Sequence, residues 1–501
     1  MNSSNRIIYN TIILYAKIFI DMILALWTVP LVMRALGQTD YGLYNLVAGV
    51  VAMLTFLNNS MTVVTQRYMS VTMGTNDYVK LNYVYNASIR IHFVLGLLLV
   101  LVLEVFAPFL FSGFLNIESN RVGASMLIYQ FMIISTFFVV ISVPFDATLN
   151  AYENMLTFSV ISILEATLKL LLAFSLFRIS LDKLVFYGLG LAVISILGVL
   201  MRILVVTKSY KNLHISFKQK IPGALYNSML SYAGWNTFGS LAMMGKNQGI
   251  AIVLNLFRGT IINASYGVAN QVNSTLSSFS SSIQKAISPQ LMKNEGANRR
   301  EAMINMSFSL VKMTTIFFSL MAIPLILEMK QVLYLWLHDD IPLYTVEFCQ
   351  LILLMQLIFQ MSSGVALAID AVGNIRQYRI VLSLVMLLNI PIAYLFLKIG
   401  SSPYYVIYSM IFFECICLIV RLYFANKTTG FPVRLYFSKC FFPLVMVVSV
   451  SFICGYCMCH FLSSSFVRLL LTIVVTLLVT SIGSFTFVLN AKEKSVLMHF
   501  F

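Results

Sequence analysis

Six charged residues lie deep inside apolar runs of this chain: Lys17, Asp21, Glu165, Lys169, Lys246 and Lys312. A charge at the centre of a membrane helix costs about 2.5–3.5 kcal/mol even on the mildest insertion scales, so each needs an offset. Lys17 with Asp21, and Glu165 with Lys169, are spaced by four, which sets them side by side on a helix. A structural salt bridge and a functional role are both open for these pairs. Lys246 and Lys312 have no carboxylate within a turn. Cationic groups facing an aqueous cavity attract phosphate, so both are candidate anion contacts. Arg67, at the end of an apolar run, is either a further anion contact or a mark of topology.

Uncharged polar residues form two stripes. Thr55, Asn58, Asn59, Thr62 and Gln66 follow steps of three and four, as do Asn270, Ser274, Ser277, Ser281, Gln284 and Lys285, so each set shares one helix face. Small and hydroxylated faces serve helix packing or line a water-filled cavity, and both readings stand for Thr55, Asn59, Thr62, Asn270, Ser277, Ser281 and Gln284. Catalytic chemistry is poorly represented. Asp339-Asp340 is the one acidic pair suited to a metal and sugar nucleotide, no Gly-rich phosphate loop occurs, and Cys454-Gly-Tyr-Cys457-Met-Cys459-His460 lacks a second ligand pair. An enzyme, a metal site and a cofactor are not expected.

These residues must be positioned by membrane helices. About fourteen apolar stretches near twenty residues long fill the chain, and such a stretch spans about 30 Å of hydrocarbon as a helix that satisfies its own backbone. With 59% apolar and 10% charged residues, the 501-residue chain falls far from the roughly 25% charged of soluble domains. Most of the 33 Lys and Arg, including Arg202, Lys208, Lys211, Lys218 and Lys220, fall at alternate inter-helix loops and the termini, which the positive-inside rule explains. Both termini are expected to be cytoplasmic. The net charge of +15 is thus topological and does not point to nucleic acid. Lys17, Asp21 and a continuing apolar run argue against a cleaved signal in the first span.

An internal repeat organises the helices. Asp146-Ala147-Thr148-Leu149-Asn150 recurs as Asp370-Ala371-Val372-Gly373-Asn374, and at nearly the same offset Gly37 falls on Gly259, Tyr44 on Tyr266, Thr55 on Ser277 and Asn59 on Ser281. The expected architecture is all-α and polytopic: two pseudo-symmetric six-helix lobes, residues 1–206 and 223–427, joined by a basic cytoplasmic linker, 207–222. Residues 428–501 add two C-terminal helices and a tail. Parallel repeats of this kind occur in transporters with a site between the lobes.

The stretch Pro30-Leu31-Val32-Met33-Arg34-Ala35-Leu36-Gly37-Gln38-Thr39-Asp40-Tyr41-Gly42-Leu43-Tyr44, followed by Thr65-Gln66-Arg67-Tyr68-Met69-Ser70, resembles the opening of bacterial Wzx-type oligosaccharide flippases. These belong to the multidrug/oligosaccharidyl-lipid/polysaccharide (MOP) exporter superfamily. The resemblance implies a MATE-like fold in the bacterial inner membrane, and a chain that carries both lobes is expected to be a monomer. Its expected activity is alternating-access transfer of a polyprenyl-diphosphate-linked oligosaccharide from the inner to the outer leaflet, for O-antigen, capsule or exopolysaccharide assembly. A polysaccharide polymerase is then an expected partner. Lys17, Arg67, Lys246 and Lys312, with Lys169 behind them, become the candidate diphosphate contacts. Because relatives often couple to proton or sodium gradients, Asp21 and Glu165 are the candidate ion-coupling carboxylates. Rival readings are a multidrug or organic-cation antiporter of the same superfamily and a flippase for the peptidoglycan lipid precursor. A cation antiporter would favour acidic cavity residues, whereas unpaired lysines outnumber unpaired carboxylates in these spans.

Overall fold

A charge-poor chain in hydrocarbon has few ways to satisfy its backbone, and helices supply the bonds internally. The computed structural model describes residues 3–52, 55–111, 117–338, 341–463, 465–491, 493 and 494, with the side chains of 3–5, 38, 45, 46, 49–52 and 55–59 outside the description. The helices are α1 (Ser3–Ala52), α2 (Thr55–Gly74), α3 (Tyr78–Phe109), α4 (Val122–Ala151), α5 (Met155–Ser175), α6 (Lys183–Ser209), α7 (Gly223–Gly296) and α8 (Arg300–Leu327). They continue as α9 (Met329–Leu337), α10 (Thr345–Gln360), α11 (Ser363–Val372), α12 (Arg376–Lys398), α13 (Tyr404–Thr429), α14 (Val433–Tyr436), α15 (Phe442–Phe461) and α16 (Phe466–Gly483). Among the described residues, 10 helices are long and apolar enough to cross a membrane, or 11 if the bent pair α10 and α11 makes one span. The remaining expected spans correspond to the polar-rich second part of α1 with α2 and to the two halves of α7.

Two glycines divide the long helices. Gly37 in α1 has φ 80° and ψ 170°, and Gly259 in α7 has φ 76° and ψ −172°. This region is essentially closed to residues with a Cβ. The positions matched by the sequence repeat therefore carry the same backbone break.

The chain forms two compact units, Ile8–Ala233 and Gly234–Phe501 with Met1–Ile7. In the first, α4 packs on α2, α3, α5 and α6. In the second, α8 is enclosed by α10, α11, α15 and α16 and is the most buried of the spans. Gly364 brings α11 onto α8 so closely that a Cβ there would lie 2.2 Å from the Ser307 carbonyl oxygen. Polar caps start several helices: Asp77 accepts from the Lys80 N–H, Asn154 from Thr157, and Ser465 from Arg468. Asp182 caps α6 and, with Asp40, is held by Arg121 just before α4. Burial pushes the Asp182 carboxyl up, but the Arg121 guanidinium and the N–H groups of Val185 and Leu184 outweigh it and hold it below its ordinary value.

The last two helices fasten to α8. Beyond its C-terminus, the Glu328 carboxylate, 1% exposed, accepts from Arg468 Nε at 2.8 Å and Nη2 at 2.7 Å, from the Thr472 hydroxyl and from the Cys459 thiol. Exposed side chains such as Leu26, Trp27, Leu101, Val105 and Phe106 give the helices the apolar exterior that lipid requires.

Candidate functional site

In the first unit the polar centre is built on α6. Arg202 donates from Nε to Asp146 of α4 at 2.8 Å and from both terminal nitrogens to Glu165 of α5, at 2.6 and 3.2 Å. Ser142, one turn before Asp146, donates weakly to the same carboxylate at 3.5 Å. The Glu165 carboxylate lies where a side chain on α6 would otherwise stand: a Cβ on Gly198 would be 1.6 Å from its Oε1. The expected pairing of Glu165 with Lys169 gives way to this arrangement. Lys169 is exposed, whereas Arg202 presents a planar fork that satisfies two carboxylates at once. Arg202 is correspondingly no loop marker: it is a buried residue inside α6. Its signal in the sequence is the apolar run Ile203-Leu204-Val205-Val206 that continues beyond it.

The Lys17–Asp21 pair does form, with Nζ 2.5 Å from Oδ2, and Lys17 also lies 5.8 Å from the Phe158 ring centre. Arg67 of α2 is buried, its guanidinium 4.9 Å from the ring centres of both Tyr68 and Tyr232. Nearby helix faces hold a polar chain that sequence spacing did not single out: the Thr65 and Ser88 hydroxyls lie 2.8 Å apart, and His92 Nδ1 lies 2.7 Å from the Ser88 carbonyl.

The second unit assigns its charges differently. Asp370, the repeat partner of Asp146, accepts from Arg379 of α12 at 2.9 Å, and the same nitrogen reaches Asn236 at 2.9 Å. Arg421, fully enclosed in α13, donates to Glu414 at 2.6 Å and to Ser362 at 2.7 Å. Like Arg202, it is a buried, paired residue inside its helix. Lys312 of α8 donates to Glu493 at 3.0 Å, and Ser309 donates to the same carboxylate at 2.6 Å. Its partner thus comes from the far end of the chain, which a search within one turn cannot find. Lys246 is the exception. It is 7% exposed in α7 and has no ion pair or hydrogen bond among the described residues.

The stripe on α7 is half-buried to exposed and bonds largely to its own helix: Asn270 to the Tyr266 carbonyl, Ser281 to the Ser277 carbonyl, and Ser277 to Asn273 at 3.4 Å. These groups leave lone pairs and protons for water or a polar ligand. Gln284 is half-buried on the same helix, and Thr62 is half-buried on α2. The side chains of Thr55 and Asn59, and the pair Asp339-Asp340, lie outside the described residues. No group of three His, Cys, Asp or Glu suited to a metal occurs among the described residues.

Comparison with solved structures identifies the fold. A MATE protein in complex with MaL6 superimposes with a TM-score of 0.74 at 13% identity, over 86% of this chain and 97% of that one. The outward-facing conformation of a multidrug resistance MATE family transporter of the MOP superfamily gives a TM-score of 0.73 at 13% identity, with the same coverage. A MOP superfamily transporter from Pyrococcus furiosus, described as having a binding pocket of reverse polarity, gives 0.72 at 12% identity over 86% of this chain and 96% of that one. No curated protein sequence matches the chain. The expected all-α MATE-like architecture is thus the observed one. The family model described as "Polysaccharide biosynthesis protein" matches residues 7–295, which contain the whole opening motif of the Wzx-type resemblance, and the chain belongs to that family.

Proposed function

We propose that this protein is a flippase that moves a polyprenyl-diphosphate-linked oligosaccharide from the inner to the outer leaflet of the bacterial cytoplasmic membrane by alternating access. On this reading it acts as a monomer and supplies a polysaccharide polymerase. Family membership supports the glycan class. The observation that carries the anionic headgroup is Lys246. Lys17, Lys312, Arg202, Arg379 and Arg421 all face carboxylates, while Lys246 is a buried cation with none in reach among the described residues. A diphosphate would complete it with the charge-assisted hydrogen bonds that an ammonium gives best. Arg67 and Lys17 are secondary contacts in this reading, and Asn270, Ser277, Ser281 and Gln284 face sugar hydroxyls. The Asp146–Glu165–Arg202 cluster holds two carboxylates against one guanidinium, so it is the place assigned here to a coupling proton or sodium ion.

The test uses purified protein in liposomes containing a fluorescent polyprenyl-diphosphate oligosaccharide, with its appearance in the opposite leaflet followed over time. A charged hydrogen bond is worth about 1.5–3 kcal/mol, so Lys246→Ala should slow transfer roughly ten- to hundredfold at equal membrane abundance, with partial recovery in Lys246→Arg. A parental rate in Lys246→Ala would remove this residue from the site. Failure to move any lipid-linked glycan, with efflux of an organic cation instead, would establish the multidrug antiporter that the MATE fold also accommodates.

A further inference from the structure

The segment 207–222, from the last turn of α6 to the start of α7, is held as a strap. Asn82, Asn86 and Arg90 are spaced by four and so share one face of α3. Asn82 Oδ1 accepts from the His214 N–H at 3.1 Å. Asn86 takes the Ser216 N–H on its Oδ1 at 2.7 Å and donates through Nδ2 to the His214 carbonyl at 2.8 Å and Gln219 Oε1 at 3.0 Å. Arg90 donates to the carbonyls of Ser216 and Gln219, at 3.1 and 2.6 Å. Leu213 is buried in the apolar core with Val206 and Met229, and Tyr210 stacks on Tyr152 with ring centres 4.0 Å apart.

This anchoring decides what the strap displays. The backbone of His214 and Ser216 turns toward α3, which leaves Ile215 and Phe217 outward at 38% and 67% exposure. Lys208, Lys211, Lys218 and Lys220 are exposed around them, and residues 207–222 contain no Asp or Glu. The strap begins in the last turn of α6, a helix long and apolar enough to cross a membrane, so its outer side lies at the membrane boundary. An aromatic side chain among lysines at that depth suits the interfacial zone, where the ring enters the headgroup layer and the ammonium groups meet phosphates.

We propose that the 207–222 strap is a docking surface for anionic phospholipid headgroups, with Phe217 and Ile215 as apolar anchors and the four lysines as phosphate contacts. This inference is independent of the transported substrate. Because α3 holds the strap, the surface is preformed, and binding requires little ordering of the chain.

The experiment places Phe217→Trp in lipid nanodiscs and reads its emission as the difference from the parental protein, which has three tryptophans of its own. The quencher is a nitroxide on the upper acyl chain of either phosphatidylglycerol or phosphatidylcholine. The proposal expects at least twofold stronger quenching in the phosphatidylglycerol discs. The excess should disappear when Lys208, Lys211, Lys218 and Lys220 are all changed to Gln, and should weaken at about 0.5 M salt, where the Debye length is only a few ångströms. Equal quenching in both lipids, insensitive to salt and to the lysine changes, overturns the anionic preference. No lipid quenching, with free access of aqueous iodide to the introduced indole, overturns membrane docking and leaves the strap as a surface for a soluble acidic partner. Phe217 is exposed and outside the transport site, so Phe217→Trp should retain folding and basal transfer.

Discussion

Replacement of Gly198 by Ala tests the polar centre of the first unit most sharply. The added methyl would lie 1.6 Å from Glu165 Oε1, 2.8 Å from its Cδ and 3.0 Å from an Arg202 nitrogen, so the carboxylate must leave its place. Losing a buried ion pair costs about 3–5 kcal/mol, but the Glu165 side chain is 22% exposed and Arg202 keeps Asp146, which lowers the expected loss to about 2–3 kcal/mol. Ala in place of a helical Gly returns about 1 kcal/mol. The net effect of Gly198→Ala should therefore be a destabilisation of about 1–2 kcal/mol, read from the unfolding of purified protein. The control is the same change in a Glu165→Ala background, where the obstruction is gone and only the helix gain remains. There Gly198→Ala should be neutral or stabilising. The same loss in both backgrounds, or a stabilised single variant, would refute the account of Glu165 resting against Gly198.

Arg468→Ala should cost about 3–5 kcal/mol, because it leaves the enclosed Glu328 carboxylate without its guanidinium, and protease access to the α15–α16 turn should rise with it. Arg468→Lys should recover only part of this, since an ammonium cannot reproduce the two-nitrogen contact. Gly364→Ala should destabilise by about 1–3 kcal/mol through the forced separation of α8 and α11, measurable as a lower unfolding temperature. The Asp182–Arg121 contact lies outside the spans and has a defined pH dependence. Since folding lowers the Asp182 pKa, its stabilising effect is present above the ordinary carboxylate range and fades as pH falls below about 4. Asp182→Asn should erase that part of the acid dependence, and an unchanged acid profile would count against it. The pair is partly exposed, so the effect should stay below about 1 kcal/mol.

Much of this molecule was legible from residue order alone. Charge-poor runs of membrane length have to be helices, since hydrocarbon offers the backbone no other partners, and the repeat set Gly37 on Gly259, although that both positions break a helix is visible only in the backbone. The opening motif named the family for a similar reason: it is a local string, and local strings survive in a sequence. The Lys17–Asp21 contact was also local, and it formed as spacing suggested.

Only the tertiary structure decided the other charge partners. Spacing by four set Lys169 beside Glu165, but such a neighbour is worth only about 0.2–0.5 kcal/mol, and the Arg202 fork from another helix binds more strongly. Lys312 waited for Glu493, because α8 is enclosed and a charge there must be neutralised by whatever group packing delivers, whereas Arg421 takes Glu414 from two turns earlier on its own helix. Helix rotation determines which polar faces are hidden, and it follows from the fit of many apolar side chains spread along the chain. That is why residue order shows which charges need partners, while packing chooses the partners and leaves Lys246 without one among the described residues.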